Sequence, residues 1–161
     1  MHTLKGKDET EAMKFIDEAA QLAIRSGCER KKCGSVIVKD GIIIGEGFNG
    51  PPGNIESQKR CSCPKESYHK KVSDKSCCVH AEQRAIMDAL RNNPQKIIGS
   101  RLYFVRLDDK DQKKPSGNPW CTICSKMALD SGVKEFVLWH DEGIIVYNTE
   151  KYNTLSYEYK G

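Results

Sequence analysis

The chain has no long apolar run. Its purely aliphatic stretches reach only three residues, as in Ile42-Ile43-Ile44, against the roughly 20 needed to cross a bilayer. No membrane partner is expected. The opening residues Met1 to Asp8 hold no apolar segment of the kind a secretory signal needs, so a cytoplasmic location is expected. A large excess of one charge is also missing. Lys and Arg number 26 and Asp and Glu 22, a net +4, too little to argue for nucleic acid by itself. There is no internal repeat and no interdomain linker. With 38% hydrophobic and 30% charged residues the composition is that of a folded chain. Its 161 residues suit one core, so a single domain over 1–161 is expected.

What the chain does have is eight cysteines. In a secreted protein they would suggest disulfides; in a reducing compartment they suggest metal binding or catalysis. Their spacings favour metal.

Residues 8–26 place Met13, Ile16, Ala20, Ala23 and Ile24 at helical spacing, with Asp8 and Glu11 as a capping pair and Gly27 as a stop. Ser35–Val38 and Ile42–Glu46 read as strands, and Asp40-Gly41 between them signals an antiparallel hairpin. A region rich in Gly, Pro, Ser, Lys and Cys follows over 49–76, including a Cys-rich insertion at about 54–78. Loops that long are functional or tied down. A helix is expected over 80–92, ended by Asn93-Pro94, and another over about 121–131, ended by Gly132. Strands are expected at Leu102–Leu107, Glu135–Trp139 and Ile144–Tyr147. This order predicts a three-layer α/β/α fold with a five-stranded mixed sheet.

His80-Ala81-Glu82 opens the second helix. Cys121-Thr122-Ile123-Cys124 opens the third, after Asn118-Pro119-Trp120. Two cysteines three apart at a helix start turn both sulfurs to one point. One His and two Cys make three zinc ligands, and a catalytic zinc keeps its fourth position open. The positive helix ends favour thiolate and hydroxide. Glu82 lies about 200° round the helix from His80. That suits a proton shuttle beside a metal-bound water better than a further ligand.

On these motifs the chain resembles the zinc-dependent cytidine and deoxycytidylate deaminase superfamily, whose signature is His-x-Glu followed by Pro-Cys-x-x-Cys. Cys33–Val38 with Gly47–Gly53 is similar to the hairpin and substrate loop of the deoxycytidylate branch, Val79–Ile86 to its catalytic helix and Cys124–Lys134 to its third helix. Roughly residues 10–140 follow the family order. The resemblance implies a cytidine deaminase-like fold. It implies hydrolytic deamination of a cytosine nucleotide or nucleoside, dCMP to dUMP foremost. Zinc on His80, Cys121 and Cys124 would activate water for attack on C4, with Glu82 carrying the protons. It also implies a small pyrimidine nucleotide or nucleoside as partner and a homo-oligomer. Two departures stand out. Trp120 separates Pro119 from Cys121, and Arg84 stands where deoxycytidylate enzymes usually have Asn. The short turn His140–Gly143 makes the last strand antiparallel, as in free-nucleoside deaminases. One alternative is a deaminase of a free base, another nucleoside, or a base in RNA or single-stranded DNA. Another is a non-catalytic zinc-stabilised binding module, against which Glu82 argues.

Cys28, Cys33, Cys61, Cys63, Cys77 and Cys78 remain. A second, structural zinc would fix the long loop. Cys28, Cys61, Cys63, Cys77 and Cys78 are its candidate ligands, with His69 able to replace a Cys; the other reading is free cysteines packed as small hydrophobes. Cys28 and Cys61 resemble the first two positions of such a site in some deoxycytidylate deaminases. Asn49 either contacts a sugar hydroxyl, as its family position does, or is a turn residue. Trp120 either lines the ring pocket or packs under the third helix. Arg84 either reaches a phosphate or lies on the exposed side of its helix. The basic loop 56–76 either meets a phosphate or single-stranded nucleic acid or is simply solvated. Tyr152, Tyr157 and Tyr159 either close over a substrate or pack a terminal helix.

Overall fold

A computed structural model describes all 161 residues. Helix α1 spans Gly6–Ile24, α2 Ala81–Asn92, α3 Thr122–Ser131 and α4 Thr149–Glu158. The long strands are β2 (Cys33–Lys39), β3 (Ile42–Phe48), β4 (Arg101–Leu107), β6 (Glu135–His140) and β7 (Gly143–Asn148). Two further strands have two residues each, β1 (His2–Thr3) beside β7 and β5 (Lys113–Lys114) beside β4. The sheet therefore has seven strands rather than the expected five, in the order β1-β7-β6-β4-β2-β3 with β5 off that path. Two-residue pairings are too short to leave a period-2 pattern in the sequence. No helix is long and apolar enough to cross a membrane.

Alternation along the strands builds the three layers. Val36, Val38, Tyr103, Val105 and Val137 face α1 and its buried Ala12, Ile16, Ala19 and Ala23. Ile37, Leu102, Phe136, Leu138 and Tyr147 face the opposite layer of α2, α3 and α4. The β2–β3 hairpin turns at Asp40 and Gly41, both at positive φ (50° and 76°), as a two-residue turn of the Asp-Gly kind requires. Strands β4 and β6 are parallel and are joined through α3, whereas β7 returns antiparallel to β6 through the short turn at His140–Gly143. Helix α1 begins two residues earlier than expected. Lys5 stands at its N-cap with no side-chain cap, so Asp8 and Glu11 do not close its first turn as a capping pair.

Small residues let α2 lie close on β3. A Cβ at Gly47 would come within 2.3 Å of the Ala81 carbonyl oxygen and 2.5 Å of the Ala85 nitrogen. These are backbone atoms of the turn that carries Ala81 and Glu82, so relief requires moving the helix start. Gly47→Ala is expected to destabilise the protein by about 1–3 kcal/mol, the usual cost of overpacking, as read by urea unfolding.

Candidate functional site

Helices α2 and α3 begin side by side. His80 is the N-cap of α2 in extended conformation, and its backbone N–H donates to Gln83 Oε1 at 3.0 Å. Cys121 is the N-cap of α3, and Cys124 lies in its first turn. His80 Nδ1 is 3.1 Å from Cys124 Sγ and 3.3 Å from Cys121 Sγ. The structure thus brings together the three residues the sequence proposes, with all donor atoms within 4.8 Å of one another.

The protonation pattern shows what this cluster lacks. The Cys121 thiol is held down at about 4, chiefly by the hydrogen bond from Cys124 and further by His80, against the effect of burial. Cys124 is pushed well above its ordinary value by that same bond and by burial. Burial disfavours a charged His80, yet the Cys121 hydrogen bond and the Glu82 charge carry its pKa up to about 9. Unaided, the cluster ionises one thiol of two and borrows the imidazolium as counter-cation. A divalent ion would replace both protons, and the soft sulfur-nitrogen donor set suits Zn2+.

Glu82 is 6% exposed. Burial pushes its carboxyl up to about 7, while the His80 charge pulls it down. A carboxyl near 7 both takes and gives protons at neutral pH. It lines a cavity of about 310 Å3 together with His80, Cys121, Phe104 and Leu138, at the small end of the range for ligand pockets (roughly 300–1,000 Å3).

Cys28, Cys61, Cys77 and Cys78 form a second cluster, also within 4.8 Å donor to donor. All are free thiols. Two of their edges, 4.0 Å between the sulfurs of Cys28 and Cys61 and 3.8 Å between those of Cys77 and Cys78, are too long for disulfides. They match the edge of about 3.8 Å in a tetrahedron of sulfurs around zinc. Burial raises the Cys28 thiol, but the backbone N–H groups of Lys31 and Arg30 outweigh it and leave Cys28 below its ordinary value. Burial and the Cys28 neighbour raise Cys78. Four cysteine sulfurs form a soft donor set that suits Zn2+. Cys63 and His69 are not members of this cluster. Cys33 stands instead on the cavity wall, where burial and the Glu82 charge push its thiol up to about 12.

The candidate substrate residues separate. Trp120 is 56% exposed and lines the cavity, so it does not pack beneath α3. Asn49 also lines the cavity, and its amide is engaged on both sides: Oδ1 accepts from the Cys33 N–H at 2.8 Å and Nδ2 donates to the Lys31 carbonyl at 2.8 Å. Arg84 is not brought to this cavity. Its guanidinium donates to the Pro51 carbonyl (2.7 Å), Asn54 Oδ1 (2.8 Å) and the Phe48 carbonyl (3.3 Å), and it lines a separate cavity. The i+4 offset from His80 puts it near the metal cluster along the chain, but its side chain ties down the loop after β3. Tyr152 both packs α4, stacked on Phe136 at 3.9 Å between centroids, and lines the cavity. Arg30, Lys31 and Lys65 line it too. No short motif marks these four, because separate loops and the last helix deliver them.

A family model described as the cytidine and deoxycytidylate deaminase zinc-binding region matches residues 8–140. The chain is 31% identical over 129 residues to the deoxycytidylate deaminase of Mycobacterium phage D29, a match covering 76% of this chain and 89% of that protein. It is 32% identical over 126 residues to the deoxycytidylate deaminase of Schizosaccharomyces pombe, covering 76% of this chain and only 35% of that longer protein. The solved dCMP deaminase of cyanophage S-TIM5 in complex with dCMP and dUMP is similar at 25% identity and TM-score 0.54, over 83% of this chain and 82% of that one. Cytidine deaminase from Burkholderia pseudomallei shares the fold at 17% identity and TM-score 0.56, over 87% and 94% of the two chains.

Since Arg84 secures backbone rather than ligand, Arg84→Ala is expected to destabilise the fold by about 1–3 kcal/mol, the cost of leaving carbonyls without donors. Metal uptake by the His80 cluster should be unchanged. Urea unfolding and elemental analysis of the variant check both.

Proposed function

We propose that this chain, which belongs to the cytidine and deoxycytidylate deaminase family, hydrolyses dCMP to dUMP and ammonia. The observation that carries the reading is the buried carboxyl of Glu82 on a cavity wall beside a three-donor cluster, His80, Cys121 and Cys124, that has no fourth protein donor. A structural metal site would fill that position with protein. The phage D29 relative and the dCMP- and dUMP-bound neighbour support the choice of nucleotide.

A zinc ion held by His80, Cys121 and Cys124 supplies, when bound, the Lewis acidity that lowers the pKa of a coordinated water to about 7. The chain's own part is proton handling and positioning. Glu82 accepts a proton from the water that attacks C4 of the cytosine ring. It passes that proton to N3, then takes the second proton from the new C4 hydroxyl and passes it to the departing amine, so that ammonia leaves and the water oxygen stays on C4. The apolar walls Phe104 and Leu138 exclude bulk water and strengthen each charge interaction inside. We read Cys28, Cys61, Cys77 and Cys78 as holding a second, structural zinc, and the chain as one domain in which that ion fixes the insertion. The insertion walls one side of the cavity, which favours a mononucleotide over a passing strand. Lys59 is committed to Glu29 at 2.9 Å and so is not free to track a phosphate backbone.

Glu82→Gln is expected to keep its full metal content and lower dCMP turnover by about 10²- to 10⁴-fold, the usual contribution of a positioned acid-base group. Loss of metal from that variant would make Glu82 a ligand and contradict its role here. Two zinc ions per chain are expected. Cys121→Ala should remove one, whereas Cys61→Ser should remove the other and lower stability, because metal-binding energy there is folding energy. A single zinc in the wild-type chain would overturn the structural site.

A further inference from the structure

Two tyrosines are buried in the layer of α2, α3 and α4, and only one has its hydroxyl satisfied. Tyr147 places its hydroxyl 3.0 Å from His140 Nε2. Tyr152, 4% exposed, meets no protein donor or acceptor through its hydroxyl, and it lines the cavity that holds Glu82. A buried phenol hydroxyl usually finds a partner, because leaving it without one costs free energy. A ligand group in the cavity can be that partner.

Several contacts fix where this hydroxyl stands. The Tyr152 ring is stacked on Phe136 at 3.9 Å between centroids and met edge-on by Tyr147 at 5.8 Å. Its helix α4 is capped by Asn148, whose side chain accepts from the Glu150 and Lys151 N–H groups. Ser125 Oγ ties α4 to α3 by donating to Asn153 Oδ1 at 2.8 Å. Ser125 follows Cys124 and Asn153 follows Tyr152, so that bond sets the phenol against the turn of α3 that carries Cys124. The groups whose charges act on Tyr152 are Glu82, Cys124 and Cys121. The hydroxyl therefore stands at the end of the cavity where C4 reacts.

The cytosine ring presents few hydrogen-bonding groups at that end. In the mechanism above Glu82 serves N3 and the attacking water. The side chains of Phe104 and Leu138 offer no polar atom, and the Asn49 amide is engaged on both sides. The exocyclic amine on C4 remains.

We infer that the Tyr152 hydroxyl oxygen accepts a hydrogen bond from the C4 amine and holds it as it leaves, which makes Tyr152 a further catalytic residue of the deamination. This rests on the deaminase reading above. Tyr152 itself gains and loses no proton. In the substrate the amine nitrogen is neutral and conjugated with the ring. Once C4 is tetrahedral and Glu82 has passed on the second proton, the nitrogen is a cationic –NH3+ group, and its bond to the phenol oxygen becomes charge-assisted. The C4–N bond then breaks as the C4 oxygen becomes a carbonyl, and ammonia leaves with the electron pair. The contact is stronger on the way to ammonia than with bound substrate, so it acts on kcat more than on KM. Tyr152 lies on α4, outside the residues 8–140 that the family model covers, so the contact is supplied from beyond the shared zinc-binding region.

The test compares zinc-loaded wild type, Tyr152→Phe and Tyr147→Phe. Single-turnover kinetics give the rate of the chemical step on dCMP, steady-state kinetics give KM, and calorimetry gives Kd for dUMP, which has no amine. Tyr152→Phe keeps the ring stack and removes only the hydroxyl. It is expected to slow the chemical step by about tenfold or more, the weight of a hydrogen bond to a charged group. KM for dCMP and Kd for dUMP should each change by less than about threefold, as a contact made on the way to the leaving group requires. The midpoint of urea unfolding should not fall, because the hydroxyl removed has no protein partner. Tyr147→Phe removes the other hydroxyl of the layer and should keep the wild-type chemical step. Should Tyr152→Phe fail to fold, a crystal structure of Glu82→Gln with dCMP decides the matter. An amine nitrogen within about 3.2 Å of Tyr152 Oη supports the assignment, and an amine out of reach of it overturns it. A wild-type chemical step in Tyr152→Phe, an equal loss in Tyr147→Phe, or a loss matched by weaker dUMP binding and a lower unfolding midpoint would overturn the assignment while leaving the deaminase reading in place. Failure of the wild type to turn over dCMP would overturn both.

Discussion

A thiolate buried away from water is stable only against a cation, and much of this molecule is arranged around that constraint. Cys121 and Cys124 are 5% and 0% exposed. By themselves they sustain one ionised thiol, with the His80 imidazolium as its counter-cation. To put the imidazole there, α2 must start beside α3. That in turn requires the close seat of Ala81, Ala85 and Ala89 against Gly45 and Gly47 of β3. The parallel pairing of β4 and β6, joined through α3, fixes the other half. Both helix starts then direct their positive ends at the same small volume, which is where negative charge collects.

The second cluster applies the same constraint to a different problem. The segment from Asn49 to Val79 contains only three short 3₁₀ turns and no long helix or strand. Its buried apolar content is little more than Cys61 and Cys78, which pack against Cys28 from the stretch after α1. Such a loop lacks the core needed to offset its own ordering entropy, so cross-links must hold it. They include the bridge between Gly50 and Val79 and the three hydrogen bonds of Arg84, to which the proposed zinc on the four sulfurs would add another. Because Cys28, Cys77 and Cys78 also line the cavity, a metal held there would order the loop and shape the cavity wall at the same time.

The parts legible in the sequence are those written locally. His80, Glu82, Cys121 and Cys124 sit at helix starts with fixed spacing, and the helical repeat converts that spacing into geometry. Asp40-Gly41 sets the hairpin, and the short turn at His140–Gly143 sets the antiparallel return of β7. What the sequence left open depends on which way a side chain turns or which distant loops meet. Arg84 could point to the cavity or away from it; the open carbonyls of Phe48 and Pro51 decide it. Six cysteines allow many sets of four, and only the path of the insertion selects Cys28, Cys61, Cys77 and Cys78. Tyr152 reaches the cavity because α4 folds back along α3 beyond the residues that the family pattern covers. The strands β1 and β5 exist only as partners of longer neighbours.

Catalysis by this arrangement requires water oxygen to end on the ring carbon that loses its amine. Incubating the zinc-loaded protein with dCMP in oxygen-18 water, and weighing the product by mass spectrometry, tests that directly. One heavy oxygen per dUMP, matched by one ammonia released, is the expected result. Absence of dUMP, or dUMP without the label, would contradict the hydrolytic role of Glu82 and the three-donor cluster beside it.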